Sequence, residues 1–316
     1  MKLLCSLAAL VPLFSTALGD EAPWPRSVTA PPFELKSSTA PNAEKRFAYE
    51  APHFAIESDV ALPTGVVRDL ALVFEATRAV LAALPLALGV DDSSRRFRVL
   101  LLNTPETYAA EGGPAGSGGY FNGREMLILL PNLGISAKDG RIDARHQNNL
   151  FVVKHEVTHQ ILRRGSSRWP VWLNEGFAEC VASWPYTQGR YTFDSLDSAM
   201  RRYLLKWQGS NSRDPLPIIS PSTLMRLTPS DWDTQIAAEN AYRHYNSSAL
   251  LTHYFLFHDH EGKRSALAVY LEALRAGMSP AEAEAAHLWR GRSPAQLNAA
   301  LAALARRMAL PIKFGD

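Results

Sequence analysis

The sequence predicts an α+β fold with a strand-rich N-terminal lobe followed by a helical C-terminal lobe. Up to Pro131, short apolar runs are separated by turns rich in Gly and Pro, a pattern typical of strands. Beyond Pro131, apolar residues recur at helical spacing through several longer segments. We therefore place a boundary near residue 140, between a strand-rich α/β lobe at 46–140 and a helical lobe at 141–316. A chain of 316 residues is long enough to bury a substantial core.

Three strands and one helix are expected in the first lobe. The strand segments are "FAIESD", "RRFRVLLLN" and "GGYFNGREMLILLP", the last entered through a Gly-rich turn at 112–119. The helix is "GVVRDLALVFEATRAVLAAL", where apolar residues follow helical spacing and the pattern stops before Pro85.

The second lobe is expected to consist of helices with buried apolar faces. The first of them should end before Gly165 and the second before Pro185, since both residue types terminate helices. The predicted helices are Gln147–Arg164, Val171–Trp184, Leu196–Gln208, Ala241–His258, Lys263–Ala276 and Pro294–Met308.

The N-terminus has the order of a secretory signal peptide. One Lys precedes an apolar run, and small residues follow up to Gly19, so we predict a signal peptide at 1–19 and a secreted or periplasmic protein. An N-terminal anchor helix is the alternative, but the run is too short to span a bilayer and Pro12 interrupts it. Residues 20–45, rich in Pro, Ser, Thr and Ala, are predicted to be a flexible lead-in.

Composition and charge favour an ordinary globular protein. The chain is 47% hydrophobic and 20% charged, with a formal net charge of +2 and no dense Lys/Arg run. These features favour neither nucleic acid nor an anionic membrane as a partner, and no further segment is apolar enough to be a membrane span. Cleavage of the signal would remove Cys5 and leave Cys180, which we expect to be a small buried residue.

The segment "VVKHEVTHQIL" contains a candidate metal motif. His155 and His159 are four residues apart, so on a helix both imidazoles lie on one face and can bind one ion. Glu156 is rotated by about 100° from His155, which suits a general base acting on a metal-bound water better than a ligand. The surrounding residues are apolar, so the helix is expected to be largely buried and its polar residues to need partners.

A second helix, in "WPVWLNEGFAEC", supplies these partners. Fifteen residues separate His159 from Glu175, and Glu179 lies four residues further on the same helical face. We assign Glu175 as the third ligand of one Zn²⁺ ion and Glu179 as the acceptor of the other N–H of a zinc-binding histidine. The reverse assignment of the two glutamates stays open, since either carboxylate can coordinate zinc.

The two helices together resemble those of the gluzincin zinc metallopeptidases, the clan that includes thermolysin and the M1 aminopeptidases. "HEVTHQ" and "WLNEGFAE" carry the resemblance. It implies a zincin-like, thermolysin-like fold with the active site between the two lobes. It also implies that His155, His159 and Glu175 bind zinc. By the same resemblance Glu156 is the base, and Glu179 stands where thermolysin-like members place a carboxylate that orients a zinc histidine. The spacing of fifteen residues is shorter than is usual in M1 enzymes, which suggests a small secreted family.

The resemblance extends to a tyrosine. "YNSSALLTHYFLFH" is similar to the helix that carries the transition-state tyrosine in these enzymes, which implies that Tyr245 stabilises the oxyanion. Tyr242 is the reserve candidate, and a purely structural role for Tyr245 stays open. His244 and His253 are expected to be structural, and "HDH" at His258–His260 is expected to lie in a surface loop.

The predicted function is that of a zinc metallopeptidase acting on peptides or proteins. "GGYFNGREMLILLP" fits the clan's edge strand, which could pair with an extended substrate, although an internal strand is nearly as good an interpretation. The Gly-x-Met-Glu-Asn motif that holds a free amino terminus in the aminopeptidases has no counterpart with a Glu in "GGYFNG", which favours an endopeptidase. The alternative is a zinc-stabilised binding protein of the cell envelope with a peptidase fold and little turnover.

Overall fold

A computed structural model describes residues 23–38, 40–90, 95–138, 141–143, 150–206, 214–238 and 241–315. The predicted signal peptide at 1–19 lies outside these residues. The chain is a mixture of helices and strands, as predicted.

The strands and helices alternate through the first part of the chain, and helices dominate the second. The strands are β1 (Ser27–Thr29), β2 (Lys36–Ser37), β3 (Phe47–Glu50), β4 (Phe54–Ser58), β5 (Phe97–Leu102), β6 (Gly119–Phe121), β7 (Glu125–Leu129), β8 (Ser136–Lys138), β9 (Arg141–Asp143), β10 (Tyr186–Thr187), β11 (Arg190–Thr192), β12 (Leu216–Ile219), β13 (His260–Glu261), β14 (Arg264–Ser265) and β15 (Ile312–Gly315). The α-helices are α1 (Thr64–Ala83), α2 (Pro105–Ala110), α3 (Leu150–Leu162), α4 (Val171–Ser183), α5 (Leu196–Lys206), α6 (Pro221–Leu224), α7 (Pro229–Ala238), α8 (Ala241–Phe257), α9 (Ala266–Arg275), α10 (Pro280–Ala283) and α11 (Pro294–Arg307).

A mixed six-stranded sheet forms the first lobe, in the order β2-β3-β4-β5-β7-β6. β4, β5 and β7 are parallel to one another, whereas the β2–β3, β3–β4 and β6–β7 pairs are antiparallel. The 20-residue helix α1 makes the crossover that two parallel strands require. β6 is an edge strand of this sheet.

The segment predicted as one strand, "GGYFNGREMLILLP", is a hairpin. β6 and β7 pair antiparallel, with Tyr120 opposite Leu127. Between them Gly123 has a φ of 86°, a left-handed conformation that glycine adopts without steric cost. The prediction of a single strand was wrong because it took the turn residues as part of the run.

Alternate residues of β5 enter two different cores, as the two-residue period of a strand requires. Phe97, Val99 and Leu101 belong to the main core, which α1 and α3 cover. Leu100 and Leu102 point to the other face and join a small core under α2. From Val99 to Leu102 this central strand is therefore buried on both faces, which explains its apolar run there.

In the second lobe α4 packs against both α3 and α8. A Cβ atom added at Gly176 would lie 2.4 Å from the carbonyl oxygen of Ser248 and 2.3 Å from Oγ1 of Thr252. Glycine at this position therefore lets α4 and α8 approach closely, which fixes the position of α4 beside α3.

Residues 23–38, within the segment predicted to be a flexible lead-in, contact distant parts of the chain. β1 pairs with β11, and β2 pairs with β3. The Trp24 ring packs against Trp184, Phe193 and Phe257, with ring centroids 4.9–6.2 Å apart. This extended segment, rich in Pro, Ser and Thr, is thus held by strand pairing with β11 and β3 and by contacts with aromatic rings distant in sequence.

The predicted lobe boundary near residue 140 falls within the β8–β9 hairpin, and the helical lobe also contains strands. β12 pairs in parallel with β15 near the end of the chain. Within the described residues, no helix combines the length and apolar character needed to cross a bilayer. Cys180 is buried with a free thiol, as expected.

Candidate metal centre

Helix α3 presents His155 and His159 on one face. The two Nε2 atoms lie 3.0 Å apart, which is the convergence that the four-residue spacing predicts. The opposite face of the helix buries Val153, Val157 and Ile161 completely in the main core. This apolar face fixes the rotation of the helix and so directs both imidazoles away from the sheet.

Glu175, in the first half of α4, completes the group. Its Oε2 lies 3.4 Å from Nε2 of His155 and 3.4 Å from Nε2 of His159. Burial raises the pKa of this carboxyl, but the two histidines outweigh burial and leave the pKa well below its usual range. The three ligand atoms all lie within 4.8 Å of one another, so these residues could hold a metal ion.

Glu179 lies one turn further along α4 and contacts the other side of His155. Its Oε1 is 3.0 Å from Nδ1 of His155, while its second oxygen accepts a hydrogen bond from the Tyr203 hydroxyl. Glu175, and not Glu179, thus faces both Nε2 atoms. This geometry favours the predicted assignment of the two glutamates over the reverse one.

Glu156 lies on the side of α3 that faces β6. Its Oε2 accepts a hydrogen bond of 2.8 Å from the backbone N–H of Phe121. Burial raises the pKa of this carboxyl, against the opposing effect of His155 and His159. A Cβ atom at Gly119 would lie 3.0 Å from Cγ of Glu156, so the edge strand and the carboxylate are in close contact.

Tyr245, near the start of α8, lies beside the same group. Its ring centroid is 6.1 Å from that of His155 and 5.4 Å from that of Trp232. Burial, reinforced by Glu175, raises the pKa of the Tyr245 hydroxyl, so the group stays protonated. The Trp232 side chain acts in the opposite direction on this pKa, but its effect is the smallest of those at the hydroxyl. Tyr242 borders the same cleft but is 44% exposed.

These residues line a cleft of about 1100 Å³. One wall consists of β6 and the loop that precedes it. α3 and α4 form the base, and α7 with the start of α8 forms the opposite wall. The cleft is thus bordered by elements from both halves of the chain, with a sheet edge along one side.

A second group of possible metal ligands is better explained by hydrogen bonds. Oδ1 of Asp197 lies 2.8 Å from Nε2 of both His253 and His258, and hydrogen bonding, chiefly from His253, lowers the Asp197 pKa to about 2. The Arg307 guanidinium lies 3.3 Å from Nδ1 of His258. Since a guanidinium only donates, Nδ1 of His258 is the acceptor and its Nε2 carries the proton that Asp197 accepts. His258, which is partly buried in the turn after α8, therefore belongs to a hydrogen-bond network, while His260 is exposed as expected for a surface loop.

Sequence reasoning missed three residues at the site. Tyr203 and Phe121 give no signal in the sequence, because their contacts with Glu179 and Glu156 join elements far apart along the chain. Trp232 lies on α7, a helix that was not predicted although Thr228 followed by Pro229 is a typical helix start.

Comparison with known proteins yields no assignment, since no protein-family model and no curated protein matches the chain. The functional interpretation therefore depends on the geometry and chemistry of the site.

Proposed function

We propose that the protein is a secreted zinc metallopeptidase with a zincin-like fold. The observation that carries the proposal is the convergence of His155, His159 and Glu175 at separations of 3.0–3.4 Å. Ligands of a tetrahedral zinc ion, each about 2.0–2.1 Å from the metal, lie roughly 3.3–3.4 Å from one another. Two imidazoles and one carboxylate are a common catalytic zinc set and leave a fourth position free.

The protein groups around this position match the parts of a hydrolytic reaction. A zinc ion held there supplies a Lewis acid, which lowers the pKa of a water molecule and polarises a carbonyl. Glu156, beside the ligands but outside their group, acts as the general base for the water and passes the proton to the leaving amine. Tyr245, which retains its proton, donates a hydrogen bond to the developing oxyanion.

A peptide suits the shape of the cleft. The position of β6 at the edge of its sheet supports the proposal that an extended chain pairs with those of its backbone groups that Glu156 does not occupy. Tyr120 and Tyr242 are exposed large rings that border the cleft and offer surface to apolar side chains. We propose that the enzyme cleaves within peptide chains, outside the cytoplasm.

The first test replaces Glu156 with Gln, which keeps the side-chain size but removes the base. We expect the variant to bind zinc like the wild type and to lose hydrolysis of unfolded casein by about 10²–10⁴-fold. Zinc content by atomic absorption and the rate of casein cleavage are the two measurements. Full activity of Glu156→Gln would exclude this residue as the base.

A chelator provides the control for the metal. Wild-type cleavage should stop when zinc is removed and return when it is added back. If the protein binds one zinc ion tightly yet cleaves no substrate, the result favours the alternative of a zinc-stabilised binding protein of the cell envelope.

A further inference from the structure

We infer that Tyr203 is a positioning residue for the metal centre, acting through Glu179 to hold His155 in its ligand orientation. This inference rests on the proposed zinc site. The three side chains form a continuous chain of contacts, from the Tyr203 hydroxyl to Glu179 and from Glu179 to Nδ1 of His155. Of these three side chains only His155 lines the cleft.

This series of contacts determines which ring nitrogen of His155 carries the proton. For Nε2 of His155 to offer its lone pair to a metal, Nδ1 must carry the ring proton and needs an acceptor. Oε1 of Glu179, at 3.0 Å, is that acceptor. The orientation of the imidazole therefore depends on the rotamer of Glu179.

Tyr203 determines that rotamer. Glu179 is 7% exposed, so both carboxylate oxygens require hydrogen-bond donors from the protein. Oε1 lies 3.0 Å from Nδ1 of His155 and the other oxygen accepts a hydrogen bond from the Tyr203 hydroxyl, so the carboxylate lies between side chains of two different helices. Without the hydroxyl, a buried charge would lose a partner and the carboxylate could rotate away from His155.

The position of Tyr203 is itself set by α3. The Tyr203 ring is 4% exposed and packs against Phe151, with ring centroids 5.2 Å apart. Phe151 lies one helical turn before His155 on the same helix. The Tyr203 ring therefore contacts the helix that bears His155, while its hydroxyl donates to the carboxylate of Glu179 behind His155.

The test compares zinc affinity in Tyr203→Phe, Glu179→Ala and the double variant. Zinc dissociation constants are measured by competition with a chromogenic chelator, and folding is checked by circular dichroism and thermal unfolding. Loss of an outer partner of a metal ligand typically weakens binding by 10–100-fold. Because Tyr203 acts one step further away, we expect its loss to weaken zinc binding by about tenfold. When Glu179 is already replaced by Ala, the additional Tyr203→Phe substitution should not change the zinc affinity further.

Tyr191→Phe is the matched control. Tyr191 is fully buried, and its hydroxyl shares a 2.7 Å hydrogen bond with Thr77, away from the metal group. This variant should be destabilised but bind zinc within about twofold of the wild type, because the hydroxyl that it removes bonds to Thr77 and not to Glu179.

Two results would overturn the inference. One is an unchanged zinc affinity in folded Tyr203→Phe. The other is that Tyr203→Phe weakens zinc binding by the same factor in the wild type and in the Glu179→Ala variant. Both leave the proposed peptidase intact, whereas a wild-type protein that binds no zinc would remove the proposed function and this inference together.

Discussion

At the scale of single residues, the site depends on one glycine, Gly119, for which the sequence predicted no contact with the zinc-motif helix. A Cβ atom at Gly119 would lie 2.6 Å from Cγ1 of Val152 and 3.0 Å from Cγ of Glu156. The edge strand can therefore lie against α3 only because this position has no side chain. The contact places the Phe121 N–H within reach of the proposed base.

We predict that Gly119→Ala lowers peptidase activity by about 10–100-fold while zinc binding is retained. The added methyl group displaces either β6 or Glu156, and small displacements of catalytic groups have effects of this size. The rate of casein cleavage and the zinc content are compared with those of Gly65→Ala. A Cβ atom at Gly65 meets nothing within 4 Å. Equal activity in the two variants would show that the contact has no role in catalysis.

At the scale of secondary-structure elements, the long helices were predicted well and the short ones were missed. α3 and α4 lie close to their predicted bounds because their apolar faces are long and their ends are marked by Gly or Pro. The missed helices α2, α6, α7 and α10 all begin at a Pro that follows Ser or Thr. That pair is itself a helix-start signal, so these elements could have been found.

The segment that follows α10 carries a partly buried carboxyl, that of Glu284, whose protonation depends on pH. Oε1 of Glu284 accepts a hydrogen bond from Nε1 of Trp172, on α4, at 3.3 Å. Burial raises the Glu284 pKa to about 7. Between its unfolded pKa of about 4.3 and 7, the folded protein binds more protons at this group than the unfolded chain. This group therefore lowers the free energy of unfolding as pH rises through that interval.

We predict that Glu284→Gln, which keeps the acceptor for Trp172 but carries no charge, gains stability relative to the wild type as pH rises. The difference in unfolding free energy should be near zero at pH 4.5. At pH 8 it should reach on the order of 1–2 kcal/mol, allowing for partial exposure of the carboxyl. Urea unfolding at the two pH values measures it. Glu34→Gln, at an exposed position, is the control. If the stability difference between Glu284→Gln and the wild type shrinks as pH rises, the raised pKa of Glu284 is wrong.

At the scale of the whole molecule, an N-terminal segment joins parts of the fold that are distant in sequence. β1 adds a strand to β10 and β11 of the second lobe, while β2 extends the sheet of the first. Trp24 lies in a cluster of aromatic rings with Phe193 and Phe257. The segment thus contacts both lobes and contributes to the same core as the helices that carry His155, His159 and Glu175.

We predict that Trp24→Ala lowers the free energy of unfolding by about 2 kcal/mol, less than for a fully buried Trp because this ring is half-buried. Thermal unfolding is the measurement. Trp24→Phe should lower the free energy of unfolding by less, because the smaller ring keeps part of the packing. If Trp24→Ala unfolds like the wild type, the aromatic cluster contributes nothing to stability.

By itself, the sequence determined the candidate ligand group and the α+β class. Residues at helical spacing necessarily share a face, so His155 with His159 and Glu175 with Glu179 could be paired from the sequence alone. The tertiary structure decided which glutamate faces both imidazoles, and it brought Tyr203 and Phe121 to the site. Those contacts depend on how helices and strands distant in sequence pack together, and local periodicity contains no information about that packing.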